Sequence, residues 1–147
     1  MANYTHILVA IDFSDSASKI LKKAKELAQT NEAKLSLLHI VEYLPPIDSA
    51  YEPILASNWS IDEAELVKQA QKSLQKICKD NQLADANVSV VLGTPKYEIS
   101  QFVKANQCDL IVLGSHGRHG ISLLLGSTAN AVLHDMPCDI LAVKVNE

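Results

Sequence analysis

The sequence predicts an α/β fold: a doubly wound, five-stranded parallel sheet with helices on both faces. Three observations point there. Five short runs rich in Val, Ile and Leu recur along the 147 residues, each nearly continuous rather than alternating, as in strands buried on both faces. The segments between them carry a helical period, so strands and helices alternate and the strands run parallel. Third, the apolar run at Asp109 to Leu113 opens straight into Gly114-Ser-His-Gly117, with Gly126-Ser127-Thr128 after it. A buried strand feeding a glycine-rich loop that ends at a helix N-terminus presents backbone N–H groups to an anion.

The first strand is expected over His6 to Ile11. Ser14 can cap the helix that follows, in which Ala17, Ile20, Leu21, Ala24, Leu27 and Ala28 recur at three and four and lay one apolar stripe on the sheet. Lys34 to Val41 reads as the second strand. Glu42 to Trp59 then breaks the pattern: it holds Pro45, Pro46 and Pro53 with Tyr43, Tyr51 and Trp59 and has no sustained period. Loops this long in compact domains tend to be lids or connectors, and the aromatics can cover a ligand or simply pack the loop onto its own domain.

Ser60 and Glu63 form a capping box, and Val67, Ala70, Leu74, Ile77 and Cys78 continue the second helix to about Gln82. The third strand is expected over Asn87 to Leu92. Thr94-Pro95 reads as cap and first helical position of the third helix, with Ile99, Phe102 and Val103 facing inward. After the fourth strand, Asp109 to Leu113, a fourth helix is expected from near Ser127 to just before Pro137, and the fifth strand over Asp139 to Val145.

Composition narrows the function classes. The chain length fits one domain, residues 1 to 147, able to bury a core without disulfides or a structural metal. A net charge of −4 with Lys and Arg scattered removes the basic footprint of a nucleic-acid binder. No apolar run approaches the ~20 residues of a membrane span, and Met1-Ala-Asn-Tyr-Thr has no basic region, so the expectation is a soluble cytoplasmic protein without membrane contact. Cys78, Cys108 and Cys138 lie thirty residues apart without a C-x-x-C pair and read as buried or half-buried free thiols.

In a doubly wound sheet the ligand crevice opens at the carboxyl ends of the strands, beside the point where strand order reverses. If the first and fourth strands are neighbours there, Asp12 and the glycine loop face one cleft. Gly114 and Gly117 let the backbone approach a ligand closely, or merely turn a long connection. Gly126, Ser127 and Thr128 offer N–H groups and hydroxyls at the positive end of the fourth helix, while Arg118 and His119 can add charge. Asp12 can accept from a base or ribose, hold a divalent ion next to phosphates, or help cap the first helix. Val41 can offer its apolar body and backbone to an adenine ring, or belong to the core.

Ala10-Ile11-Asp12, Leu38-His39-Ile40-Val41 and the Gly114-Ser-His-Gly117 … Gly126-Ser127 signature resemble the universal stress protein family over nearly the whole chain. The resemblance implies an adenine nucleotide alpha hydrolase-like sheet of order 3-2-1-4-5 and a homodimer along the last strand, Ile140 to Val145. It implies ATP or a related adenine nucleotide as ligand, with Mg or Mn as a companion. Ala10, Asp12 and Val41 would hold the nucleoside; Gly114, His116, Gly117, Arg118, Gly126, Ser127 and Thr128 would hold the phosphates; Asp12 is the metal candidate. The family pattern is G-x2-G-x9-G-[ST], whereas here eight residues, 118 to 125, separate the second and third glycines. Losing one residue shortens the reach by at most ~3.6 Å, and Gly120 gives the loop freedom to absorb it.

Enzyme signatures are weak by comparison. The chain has neither G-x-x-x-x-G-K-[ST] nor G-x-G-x-x-G after the first strand. Ser115 and His116 are adjacent, so their side chains diverge, and His6, His39 and His134 show no metal-ligand spacing. An FMN-type role would need a glycine loop after the first strand, where Asp12-Phe-Ser-Asp15 supplies none. The sequence therefore supports a stress-response regulator or protective factor, with at most slow ATP hydrolysis, or alternatively a dimeric interaction scaffold of the same fold without nucleotide.

Overall fold

The computed structural model describes residues 3–13, 16–42, 63–83, 86–114, 132, 134 and 137–144. In chain order the elements are β1 (His6–Ala10), α1 (Ala17–Asn31), β2 (Lys34–Glu42), α2 (Glu63–Asp80), β3 (Asn87–Gly93), α3 (Pro95–Asn106), β4 (Leu110–Gly114) and β5 (Asp139–Val143). The five strands form one sheet, every pairing parallel, in the order β3-β2-β1-β4-β5. All five expected strands are present, with ends shifted by one or two residues.

Alternation along each strand divides the core between two faces. Ile7, Val9, Leu37, Leu110, Val112 and Val143 pack with Ala17, Ile20, Leu21 and Ala24 of α1 and with Leu74 and Cys78 of α2. On the opposite face Leu8, Leu38, Ile111 and Leu113 pack with Ile99 and Val103 of α3 and with Val132. Helices thus cover both faces, as continuous apolar strands require. Val132 and His134 are helical, within the range expected for the fourth helix, whose other residues lie outside the described ones, as does the proline-rich 43–62 segment.

Helix starts differ in one respect from the sequence expectation. Since α1 begins at Ala17, its capping position falls on Ser16, not Ser14, and the Ser16 side chain makes no capping hydrogen bond. Ser14 and Ser60 lie outside the described residues. Thr94 and Pro95 take the expected places before and at the start of α3, Thr94 with extended backbone, but the Thr94 side chain makes no capping hydrogen bond either.

All three described helices end by one device that the sequence reading did not single out. Asn31-Glu32-Ala33, Asn81-Gln82-Leu83 and Asn106-Gln107-Cys108 each place an asparagine, a long polar residue and an apolar residue at the terminus. The asparagine amides donate to the carbonyls four residues back, Leu27, Ile77 and Phe102, at 2.8, 2.8 and 3.0 Å. Glu32, Gln82 and Gln107 then turn the chain with φ of 53°, 58° and 54°. The next N–H reaches back five residues in each case: Ala33 to Ala28 at 2.9 Å, Leu83 to Cys78 at 2.7 Å and Cys108 to Val103 at 3.1 Å. This is the Schellman arrangement, usually built on glycine.

A side chain in the left-handed region costs roughly 1 kcal/mol that glycine avoids. Glu32→Gly and Gln107→Gly are each expected to raise stability by about 0.5–1 kcal/mol and the thermal midpoint by about 2 °C, checked by calorimetry. An unchanged or lowered midpoint would mean that the replaced side chains contribute contacts outweighing the backbone relief.

Candidate functional site

Strand order reverses between β1 and β4: β2 and β3 continue from β1 on one side, β5 lies beyond β4 on the other. Register places the candidate residues. Ala10 pairs with Leu38 at the end of β1, and Val9 pairs with Val112. Counting on, Gly114 stands level with Ile11, one residue before Asp12, on strands that run about 4.8 Å apart. Asp12 and Gly114 therefore share the carboxyl edge at the reversal, where open α/β sheets bind ligands.

Val41 lies at the same edge, paired with Leu92 of β3. Of the sequence-predicted site residues, Ala10, Asp12, Val41 and Gly114 are half-buried there. His116, Gly117, Arg118, Gly126, Ser127 and Thr128 lie outside the described residues.

The segment that carries Asp12 is fixed from both sides. The Ile11 N–H donates to the Leu38 carbonyl at 3.0 Å, prolonging the β1–β2 ladder past β1 itself. The Ile11 carbonyl accepts from His39 Nδ1–H at 2.8 Å. The His39 ring also lies against Phe13, with centroids 4.1 Å apart and planes tilted by 31°. The contacts of His39 and Phe13 escape the sequence reading because they join positions far apart in sequence; His39 stands two residues before Val41.

The amino edge of the sheet is chemically different. Asp109 accepts from the Thr5 N–H at 2.8 Å, the Thr5 hydroxyl at 3.0 Å and the His6 N–H at 3.0 Å. Burial works against its ionisation, but these donors outweigh it and hold its carboxyl below the usual range. Tyr4 Oη donates to Asp139 Oδ2 at 2.9 Å, and that bond, with a smaller contribution from burial and nearby carboxylates, raises the Tyr4 phenol. Asn3, Tyr4, Asp109, Cys138 and Asp139 line an open depression there of about 410 Å³, across the sheet from the Asp12 edge.

All three cysteines are free thiols, two buried and Cys138 half-buried. Burial is the main cause pushing Cys108 up to about 11, helped by Cys138 and Asp109. Burial likewise pushes Cys138 up to about 11, helped by Asp139 and Asp109. Among the described residues no group of three or more His, Cys, Asp or Glu could hold a metal ion, and no helix is long and apolar enough to cross a membrane.

Topology, the edge at which Asp12 and Gly114 meet, and the paired helix layers define a doubly wound α/β protein of the adenine nucleotide alpha hydrolase-like group. Comparison with known proteins carries this further. The universal stress protein family matches residues 3–144, and the chain belongs to that family. A curated relative, universal stress protein A homolog 2 from Coxiella burnetii, is 40% identical over 146 residues, covering 99% of this chain and 98% of the relative. Among solved structures, universal stress protein UspA from Lactobacillus plantarum superposes with a TM-score of 0.72 at 30% identity, over 97% of this chain and 99% of the other. A universal stress protein in complex with cAMP superposes with a TM-score of 0.62 at 22% identity, over 97% and 98% of the two chains, a likeness of fold.

The thiol environments give a direct test. Cys108 and Cys138 are expected to react with iodoacetamide at neutral pH about two orders of magnitude more slowly in the folded protein than in urea, followed by mass spectrometry. Equal rates would mean that their surroundings do not suppress the thiolate.

Proposed function

We propose that this chain binds ATP or a related adenine nucleotide at the β1/β4 reversal and acts in the stress response as a regulator or protective factor. The observation that carries this reading is the register that brings Asp12 and Gly114 to one edge beside Val41. Ala10, Asp12 and Val41 take the nucleoside. The backbone of Gly114, Gly117 and Gly126 and the side chains of His116, Arg118, Ser127 and Thr128 take the phosphates. The solved relative of the same fold that holds cAMP supports an adenine nucleotide as ligand class. Family membership supports the stress-response setting.

Magnesium or manganese fits only as a nucleotide companion. Asp12 is a carboxylate at the described edge of the cleft, and among the described residues no group of three or more His, Cys, Asp or Glu could hold a metal ion. A divalent ion there would take Asp12 as one ligand and phosphate oxygens as others, the usual pattern for Mg²⁺. The sequence carries neither G-x-x-x-x-G-K-[ST] nor G-x-G-x-x-G after the first strand, so binding and signalling are the proposed activity. The proposed setting is cytoplasmic, without nucleic acid or membrane as partner.

Nucleotide released from denatured purified protein, identified by mass spectrometry, and ATP titration with and without Mg test the ligand. Gly117→Val is expected to place a branched side chain among the phosphates and lower ATP affinity at least tenfold with the fold retained, since one well-placed anion contact is worth about 1.5–3 kcal/mol. Unchanged affinity in that variant would move the ligand to another part of the molecule, whereas a parent protein that neither carries nucleotide nor binds added ATP would favour the alternative, an interaction scaffold of the same fold.

We also propose a homodimer along β5, the open edge of the sheet beyond β4. Leu141 and Val143 pack into the α1-side core, so a charge at either would test folding, not contact. Ala142 is exposed on that edge strand and is the better probe. Ala142→Lys is expected to give a monomer in sedimentation with an unchanged circular dichroism spectrum, whereas a persistent dimer moves the contact to another surface.

A further inference from the structure

We infer that His39 is a positioning residue for the candidate nucleoside site, holding the β1–α1 turn so that Asp12 faces the ligand. The inference rests on the nucleotide reading for its ligand, but its geometry stands on its own. His39 sits two residues before Val41 on β2, and register puts it level with Ile11. Its Nδ1–H donates to the Ile11 carbonyl at 2.8 Å, across 28 positions of sequence. The peptide link whose oxygen accepts this bond is the one that delivers Asp12.

Two further contacts limit the freedom of that link. The Ile11 N–H is held by the Leu38 carbonyl at 3.0 Å, so Ile11 is pinned by both its N–H and its C=O to consecutive residues of β2. The Phe13 ring lies against His39 with centroids 4.1 Å apart, on the far side of Asp12 in sequence. Asp12 is thus bracketed by two residues that the same imidazole touches. β1 itself ends at Ala10, and ladder pairing alone does not extend to Asp12. The imidazole adds a constraint just beyond the end of the strand.

The chemistry of the donor selects informative variants. In asparagine the amide nitrogen lies two bonds beyond Cβ, as Nδ1 does in histidine, so His39→Asn keeps the donor and loses the ring. His39→Phe keeps a ring for Phe13 and loses the donor. His39→Gln is polar but carries its nitrogen one bond too far.

Adenosine affinity by calorimetry and the backbone amide resonance of Asp12 in the ligand-free protein together decide the matter. The expected result is a five- to tenfold loss of adenosine affinity in His39→Phe and in His39→Gln, about the worth of one buried hydrogen bond, with His39→Asn within about twofold of the parent. Should His39→Phe fail to fold, the contrast between His39→Gln and His39→Asn carries the same comparison. A merely structural role would not be rescued by asparagine. Parent-like affinity in both His39→Phe and His39→Gln, or equal loss in all three variants, overturns the assignment. If the parent protein binds no adenosine, the nucleotide reading fails by itself. The Asp12 amide then decides for His39: displacement in His39→Phe and His39→Gln but not in His39→Asn upholds it, and an unmoved resonance overturns it.

Discussion

The pairing of β1 with β4 is the constraint from which the remaining arrangement follows. It joins the two halves of a sheet that winds in opposite directions, and it alone brings the end of β1 beside the start of the glycine loop. Its register is fixed where the strands begin. The Asp109 N–H donates to the His6 carbonyl at 3.0 Å while the Asp109 carboxylate accepts from the His6 N–H at 3.0 Å, a reciprocal pair reinforced by both donors of Thr5. A slip of one residue would break all four contacts and turn Ile111 and Leu113 toward the wrong helix layer. The position of Gly114 relative to Asp12 is therefore set from the far edge of the sheet.

A similar economy governs how each helix hands the chain back to a strand. α1 and α3 reach the next strand within two or three residues and α2 within six, and each must turn back toward the amino edge. The asparagine that folds onto the preceding turn satisfies one terminal carbonyl, the left-handed residue reverses direction, and the apolar residue after it begins the burial. At α3 the same sequence of steps ends in Cys108 and then Asp109, so the helix terminus places the carboxylate that sets the β1–β4 register. His6 adds a tie at this point: its Nδ1–H donates to the Asn106 carbonyl at 3.0 Å, which leaves Nε2 to accept from the buried Ser36 hydroxyl at 2.7 Å. A buried hydroxyl is thereby satisfied within the sheet layer.

What could be read from the sequence divides along these physical lines. The strands were legible because burial on both faces leaves no room for polar residues inside a run such as Leu110 to Leu113, and α1 and α3 because their apolar stripes have to meet the sheet. The edge shared by Asp12, Val41 and Gly114 was legible because a reversal in winding forces it. The helix ends were not, since Glu32, Gln82 and Gln107 are unusual at positive φ and only the repeat of asparagine before them marks the turn. Nor was the role of His39 or Ser36, because a histidine or serine within a strand acquires meaning only from a partner in another element. Local patterns encode burial; they do not encode which distant donor meets which acceptor.

The two edges of the sheet also differ in electrostatic character for a reason built into the winding. Each strand-to-helix connection brings a helix N-terminus to the carboxyl edge, and each helix-to-strand connection leaves a helix C-terminus at the amino edge. The positive end of α1 thus follows Asp12 at the carboxyl edge, while the negative end of α3 lies just before Cys108 and Asp109 at the amino edge. Cys108 and Cys138, both pushed up to about 11 chiefly by burial, sit on the side where a thiolate also meets carboxylates. α1 carries no acidic residue in its first turn to neutralise its own N–H groups. A net charge of −4 scattered over the surface is screened beyond about 8–10 Å, so it does not by itself decide which ion an individual helix N-terminus attracts.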